Sequence, residues 1–234
     1  MLTSFYTAAA GAVAQQQKLD VVSNNIANAS TAGYQPDRAS FADLLYTGVN
    51  GPETADSLKV GHGSRLGKTD TVFGQGSVEE TGRPLDYALT RENAFFAVRG
   101  ADGRVRYTRA GSFELSRHPD GRFYLADPQG ALVLDRAGRP IAVEDESQPQ
   151  DVGVFSFRNC DGLRKTGDSD YEATEVSGPA AATGWKAVQR SLEGSAVDFG
   201  DEMTAMINAQ KGFAFNAKVV EMSDNMVQTV NNLR

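Results

Sequence analysis

Apolar positions at both ends of the chain recur at the spacing of a helix face. Phe5, Ala8, Ala12, Gln15, Leu19, Val22 and Ile26 follow one another at steps of three and four, and only Gln15 is polar. This heptad seam, about three heptads long, predicts a helix over residues 3–28 that can pack along a second helix. The helix should stop near Asn28, because Gly33 can take a positive φ and Pro36 cannot continue a helix. Near the other end, Met203, Met206, Gln210, Phe213, Ala217, Val220, Asp224 and Val227 repeat the spacing. Asp198 is placed to cap this second helix, and Asp201 and Glu202 fall in its first turn, where the helix dipole favours negative charge. Met222, Met226, Val230 and Leu233 add a second apolar line. At the usual rise, residues 3–28 span roughly 39 Å and residues 198–232 roughly 52 Å. A compact domain of ordinary size covers neither seam easily. The two ends are therefore expected to pair with each other as a coiled coil, with the second line facing other copies. Two amphipathic helices packed on a globular domain would give the same periodicity. Gln15, Gln210 and Asp224 fit register-setting positions, and fit partly buried faces equally.

The middle of the chain changes period. Phe95–Val98 and Val105–Thr108 read as strands around the turn at 101–104. Ser112–Leu115 and Arg122–Leu125 flank Asp120-Gly121, a strong hairpin signal. Ala131–Leu134, Pro140–Val143 and Val152–Phe157 follow at short, regular intervals. Such spacing predicts a small antiparallel sheet or barrel. Residues 47–82 are Gly-rich and polar and read as an extended connector. Residues 158–190 are similar, with Trp185 a packing anchor. The expected fold is α+β: N- and C-terminal helices pairing as a coiled coil, with a central, mostly antiparallel β domain inserted between them. The expected divisions are a helical domain of 1–34 and 191–234, a connector of 35–82 and a β-rich domain of 83–190.

Composition narrows the function. Of the 234 residues, 40% are hydrophobic, enough to bury a core, and the formal net charge is −7. No run of Lys and Arg offers a phosphate-tracking surface, which argues against nucleic acid as a partner. A single cysteine, Cys160, leaves no internal disulfide and no Cys-cluster metal site. The two histidines, His62 and His118, have no second ligand at motif spacing. No apolar run approaches the roughly 18 residues of a membrane span. Residues 5–14 end in an A-x-A pattern, but the first basic residue, Lys18, lies after it, so a cleaved secretory signal is not expected.

Candidate chemistry is sparse. Residues 61–69 carry Gly61, Gly63 and the run Gly67-Lys68-Thr69, yet Leu66 stands where a dinucleotide loop needs glycine and His62 where a P-loop does. No G-x-S-x-G elbow occurs. The carboxylate pairs Glu79-Glu80 and Glu144-Asp145-Glu146 read as solvated clusters. No catalytic, cofactor-binding or metal-ligating residue is assigned, and the expectation is a protein that is not an enzyme.

The segment from Gln15 to Tyr34 resembles the N-terminal signature of bacterial flagellar rod and hook proteins. Its centre is Asn24-Asn25-Ile26-Ala27-Asn28, followed by Thr31 and Gly33-Tyr34. Phe41–Tyr46, Gln75-Gly76-Ser77, Thr81–Leu89, Phe95–Val98 and Tyr107–Phe113 resemble the rod pattern further on. Leu192–Asp198 and Met203–Ile207 resemble the start of the family's C-terminal helix. The resemblance implies a structural subunit of the basal-body rod. Copies would stack helically with themselves and with other rod and hook proteins into a hollow drive shaft carrying torque to the hook. It implies passage through the flagellar type III export apparatus without a cleaved signal, residence in the basal body across the periplasm or cell wall, no cofactor, and no stable membrane insertion. Phe5, Leu19, Val22, Ile26, Met203, Met206, Phe213, Val220 and Val227 would then lie on the subunit-interface helices. The chain's size fits a proximal or a distal rod subunit. The long connector favours the distal type, while Arg83–Asp86 resembles the proximal one. Outside the family, a helical adaptor with one partner would use the same seams.

Overall fold

A computed structural model describes residues 2–48, 59–118 and 121–233. Asp120 of the expected hairpin and residues 49–58 of the connector lie outside the described residues. The chain divides into two compact units. One comprises Met1–Ala27, Asp37–Asp70 and Asp198–Arg234; the other comprises Asn28–Pro36 and Thr71–Val197.

The first unit is built on two helices, α1 (Leu2–Ala27) and α2 (Phe199–Asn232). Asp198 caps α2 as its sequence position suggests, its side chain accepting from Asp201 N at 3.0 Å. The helices pack against each other in antiparallel register. Asn25 meets Glu202, Gln15 lies on Gly212 and Gly11 on Asn216. The α2 row turned to α1 therefore runs through Glu202, Ala205, Ala209, Gly212 and Asn216, with Ala209 fully buried. This contact row lies about one residue round the helix from the expected seam, of which Met206 and Val220 are half-buried while Met203, Phe213 and Val227 are exposed to solvent. The reason is room: alanine and glycine let the helices approach while the Gln15 and Asn216 side chains fill the space between them. On α1, Ala8 and Val22 are buried, and Phe5, Leu19 and Ile26 are half-buried. Strand Asp37–Asp43 pairs with Ser64–Thr71, and Tyr46–Gly48 runs antiparallel to Lys59–Gly61. The phosphate-loop candidate thus lies largely within a strand.

The second unit is a nine-stranded sheet with two short accessory ladders. Its spine is Ala94–Arg99, five of whose six residues are buried. One edge of the spine pairs antiparallel with Val105–Thr108, while Leu132–Val133 and Val154–Ser156 share the other. Side chains alternate across it. Phe96 and Val98 join Leu89, Phe113, Leu125 and Val133 in the larger core. Phe95 faces Phe157 and Tyr171, against which Phe73 packs. Trp185 is partly buried against the larger core, with the Arg91 guanidinium 5.0 Å from its ring centroid. Pro140–Val143 joins the sheet only through isolated bridges, Leu134 to Pro140 and Tyr124 to Ala142. Gly121 closes the expected hairpin by donating to the His118 carbonyl. The architecture is α+β: terminal helices in contact, and an antiparallel β unit from the middle of the chain.

Candidate functional site

The motif that carries the family resemblance is shared between the two units. In the helical unit, Asn25 is buried at the end of α1. Its amide nitrogen donates to the Asp37 carbonyl and to Glu202 Oε1, both at 2.8 Å, and its oxygen accepts from Asp37 N at 3.0 Å. One side chain thus ties α1 to the strand that follows and to the first turn of α2. Asn24 and Ala27 are exposed, and Ile26 is half-buried. In the β unit, Asn28 starts the turn that ends the helical run. Its carbonyl accepts from Thr31 N at 3.1 Å, and its side chain accepts from the Thr31 hydroxyl at 3.2 Å.

Gly33, Tyr34 and Gln35 are then buried in the β unit. Gly33 takes φ +65°, donates to the Glu193 carbonyl at 2.9 Å, and lies so close to Arg109 and Ala110 that a Cβ would sit 2.5 Å from their backbone. This position needs glycine on both counts, conformation and space. The Tyr34 carbonyl accepts from Ala196 N at 3.0 Å, and Lys165 Nζ lies 4.4 Å from the Tyr34 ring centroid. Gln35, absent from the motif as read in the sequence, is fully buried and accepts from Gly74 N at 2.8 Å.

Beside this strap lies an ion pair that sequence reasoning missed. Arg109 and Glu193, both with fully buried side chains, meet at 2.6 Å. Arg109 Nη1 also donates to the carbonyls of Arg91, Glu92 and Ala94, and Glu193 Oε1 accepts from Gly76 N at 3.0 Å. Burial pushes the Glu193 carboxyl above its usual range, and the Arg109 charge pulls it partway back. The pair gathers four separated stretches of chain at one point. Nothing local in the sequence marks it, since the partners stand 84 positions apart.

The other candidates do not converge. His62 contacts Thr47 at 2.6 Å. The His118 ring packs edge-on to Tyr124. Cys160 is half-buried near Asn93, and burial raises its thiol. Among the described residues, no group of His, Cys, Asp and Glu is placed to hold a metal ion, and no helix is long and apolar enough to cross a membrane. Apolar side chains do gather on the outside of the helix pair. Tyr6 and Val13 of α1 and Phe199, Met203, Ile207, Phe213, Phe215, Met222 and Met226 of α2 are all exposed. Isolated exposed apolar residues are ordinary, but rows of them along helices mark surfaces made to be covered.

Two long helices with exposed apolar side chains, and a β unit in which no metal-binding cluster forms among the described residues, point to a structural rather than a catalytic class of protein. Models of known families agree in three places. Residues 5–35 match "Flagella basal body rod protein", 91–155 match "Flagellar hook protein FlgE/F/G D1 domain", and 188–233 match "Flagellar basal body rod FlgEFG protein C-terminal". The chain is 34% identical to flagellar basal-body rod protein FlgG of Bacillus subtilis across the whole of both chains. It is 30% identical to FlgG of Borreliella burgdorferi, covering all of this chain and 99% of the relative. It is 33% identical to FlgG of Caulobacter vibrioides, covering 97% and 98%. The chain belongs to the flagellar basal-body rod protein family.

Proposed function

We propose that this chain is a structural subunit of the flagellar rod, of the FlgG (distal) kind, whose copies assemble helically into the hollow shaft that transmits torque to the hook. The observation that carries the reading is the outward apolar face of the α1–α2 pair, on a chain whose full length aligns with proteins named FlgG. The helix pair acts as a coiled-coil inner domain formed from both ends of the chain, and the β-rich stretch 83–190 acts as the outer domain. The seam residues Phe5, Leu19, Val22, Ile26, Met203, Met206, Phe213, Val220 and Val227 lie on the helices that meet neighbouring copies. Long helices offer many shallow contacts that share a load, and a repeated heterologous contact generates an open tube. The chain reaches its place in the basal body through the flagellar type III export apparatus and contacts other rod and hook proteins there.

Electron microscopy of the concentrated full chain tests the reading, alongside complementation of motility in a strain lacking its own distal rod subunit. Tubes in the microscope and restored swimming are expected. A monodisperse protein that forms a stoichiometric complex with one partner and does not restore swimming would overturn the rod in favour of an adaptor.

A further inference from the structure

The β unit carries a recess of about 430 Å³, lined by both polar and apolar side chains. Tyr87, only 2% exposed, forms part of its wall. Hydrogen bonds fix that wall on several sides. Tyr87 pairs with Gln189 in a short antiparallel ladder. The Gln189 side chain donates to the Pro84 carbonyl at 2.6 Å. Gln150 N donates to the Tyr87 hydroxyl oxygen at 3.0 Å. A recess whose walls are already fixed needs little ordering to receive a ligand.

Its polar groups are only partly matched. A phenol accepts through its oxygen and donates one proton. Burial raises the Tyr87 hydroxyl above its usual range, against hydrogen bonds from Gln150 and Gln189 that lower it, so the proton stays on at neutral pH. Among the described residues, that proton has no acceptor. Two cations, Arg136 and Lys186, border the same recess. Neither side chain has a hydrogen-bond or ion-pair partner among the described residues. Asp135, next to Arg136 in the chain, does not neutralise it. The Asp135 carboxylate already accepts from the Ala137 and Arg139 amides and from the Arg139 guanidinium. Asp151 is the acid of the lining, so the three charged residues leave one net positive charge. Val152 and Ala187 add apolar wall.

We propose that this recess binds a single carboxylate carried on a short, uncharged body. Arg136 and Lys186 hold the charge, the Tyr87 hydroxyl donates to a carboxylate oxygen, and Val152 and Ala187 pack against the body. Asp151 limits the ligand to one negative charge, because a second would face it. A free carboxylic acid and the C-terminus of a peptide share this chemistry.

The test is a titration of the isotope-labelled full chain, followed by amide NMR. N-acetylalanine stands for a peptide terminus, propionate for a free acid, and N-acetylalanine amide is the uncharged control. Saturable shifts at Gln150, Val152 and Ala187 are expected with the acids and not with the control. Tyr87→Phe removes only the hydroxyl and should weaken binding about tenfold. Arg136→Gln and Lys186→Gln change exposed side chains and should each weaken it about twofold to fivefold. They decide the matter should Tyr87→Phe fail to fold. Asp151→Asn should tighten binding. Tighter binding of N-acetylalanine than of propionate assigns the site to a peptide terminus, and the reverse to a free acid. Equal shifts with the uncharged control, drift without saturation, or an affinity unchanged when Arg136→Gln and Lys186→Gln are combined would overturn the site.

Discussion

At the scale of single residues, burial decides which charges matter. Arg109 and Glu193 sit in full burial with their charges facing each other. Removing one partner strands the other, at a cost of about 3–5 kcal/mol. Glu193→Ala should therefore lower the stability of the β unit by about that much, read from urea unfolding followed by Trp185 fluorescence. Replacing both partners by apolar residues should cost less than the single change, because no charge is then left unpaired. Gly33→Ala tests the strap beside the pair. A Cβ there meets backbone at 2.5 Å in a left-handed conformation, so a loss of about 1–3 kcal/mol is expected in the same measurement.

Asp170 gives a pH signature. Burial raises its carboxyl to about 6, aided by the charges of Asp127 and Asp168 and opposed by Arg106. An acid that holds its proton more tightly when folded makes the folded state the better proton binder. Its contribution is then fully present below about pH 4 and is lost as the pH rises through about 6. Asp170→Asn should remove that decline and leave the variant about 1 kcal/mol more stable than the parent at pH 7, allowing for partial exposure. Equal pH slopes for variant and parent across this window would contradict the assignment.

At the scale of elements, the helices and the central strands were legible because each writes its own period. Phe5 to Ile26 and Met203 to Val227 carry the helical one, and Phe95 to Val98 reads as a continuous buried strand. The row that joins the helices was not legible. Large side chains dominate a sequence pattern, whereas the contact is made by Ala209, Gly212 and Asn216, which qualify by being small or able to fill a gap. The strands at 37–43 and 64–71 escaped notice because neither is buried enough to alternate cleanly. Within the motif, Asn25 and Gly33 join stretches far apart in the chain, Asn25 reaching Glu202 and Gly33 the Glu193 carbonyl, and the sequence could not say which segments they join. Gly212 tests the contact row. Gly212→Ala puts a Cβ about 3.1 Å from the movable end of Gln15 and gains up to ~1 kcal/mol of helix propensity, so its net effect should be small. Gly212→Leu must push the helices apart and should cost about 1–3 kcal/mol, seen as an earlier loss of helical ellipticity on heating.

At the scale of the whole molecule, the two units hold themselves together by different means, and this should separate their unfolding. The β unit buries Phe95, Phe96, Phe113, Leu125, Tyr87 and Tyr171 almost completely. The helical unit buries far less: along all of α2 only Ala209 is fully enclosed, while Met, Phe and Val side chains face outward. Helices of this kind gain most of their stability from packing rather than from propensity. In dilute solution the helical signal should therefore melt first. The only tryptophan, Trp185, belongs to the β unit and reports it separately. Ellipticity at the helix band and Trp185 fluorescence should give two distinct midpoints, with the helical one lower. Raising the protein concentration should lift the helical midpoint and leave the other nearly fixed, because copies that cover the outward rows stabilise only the state that has formed them. Coincident midpoints, unmoved by concentration, would mean that the helices are held by the single chain alone. The exposed rows would then lose their claim to be assembly surfaces.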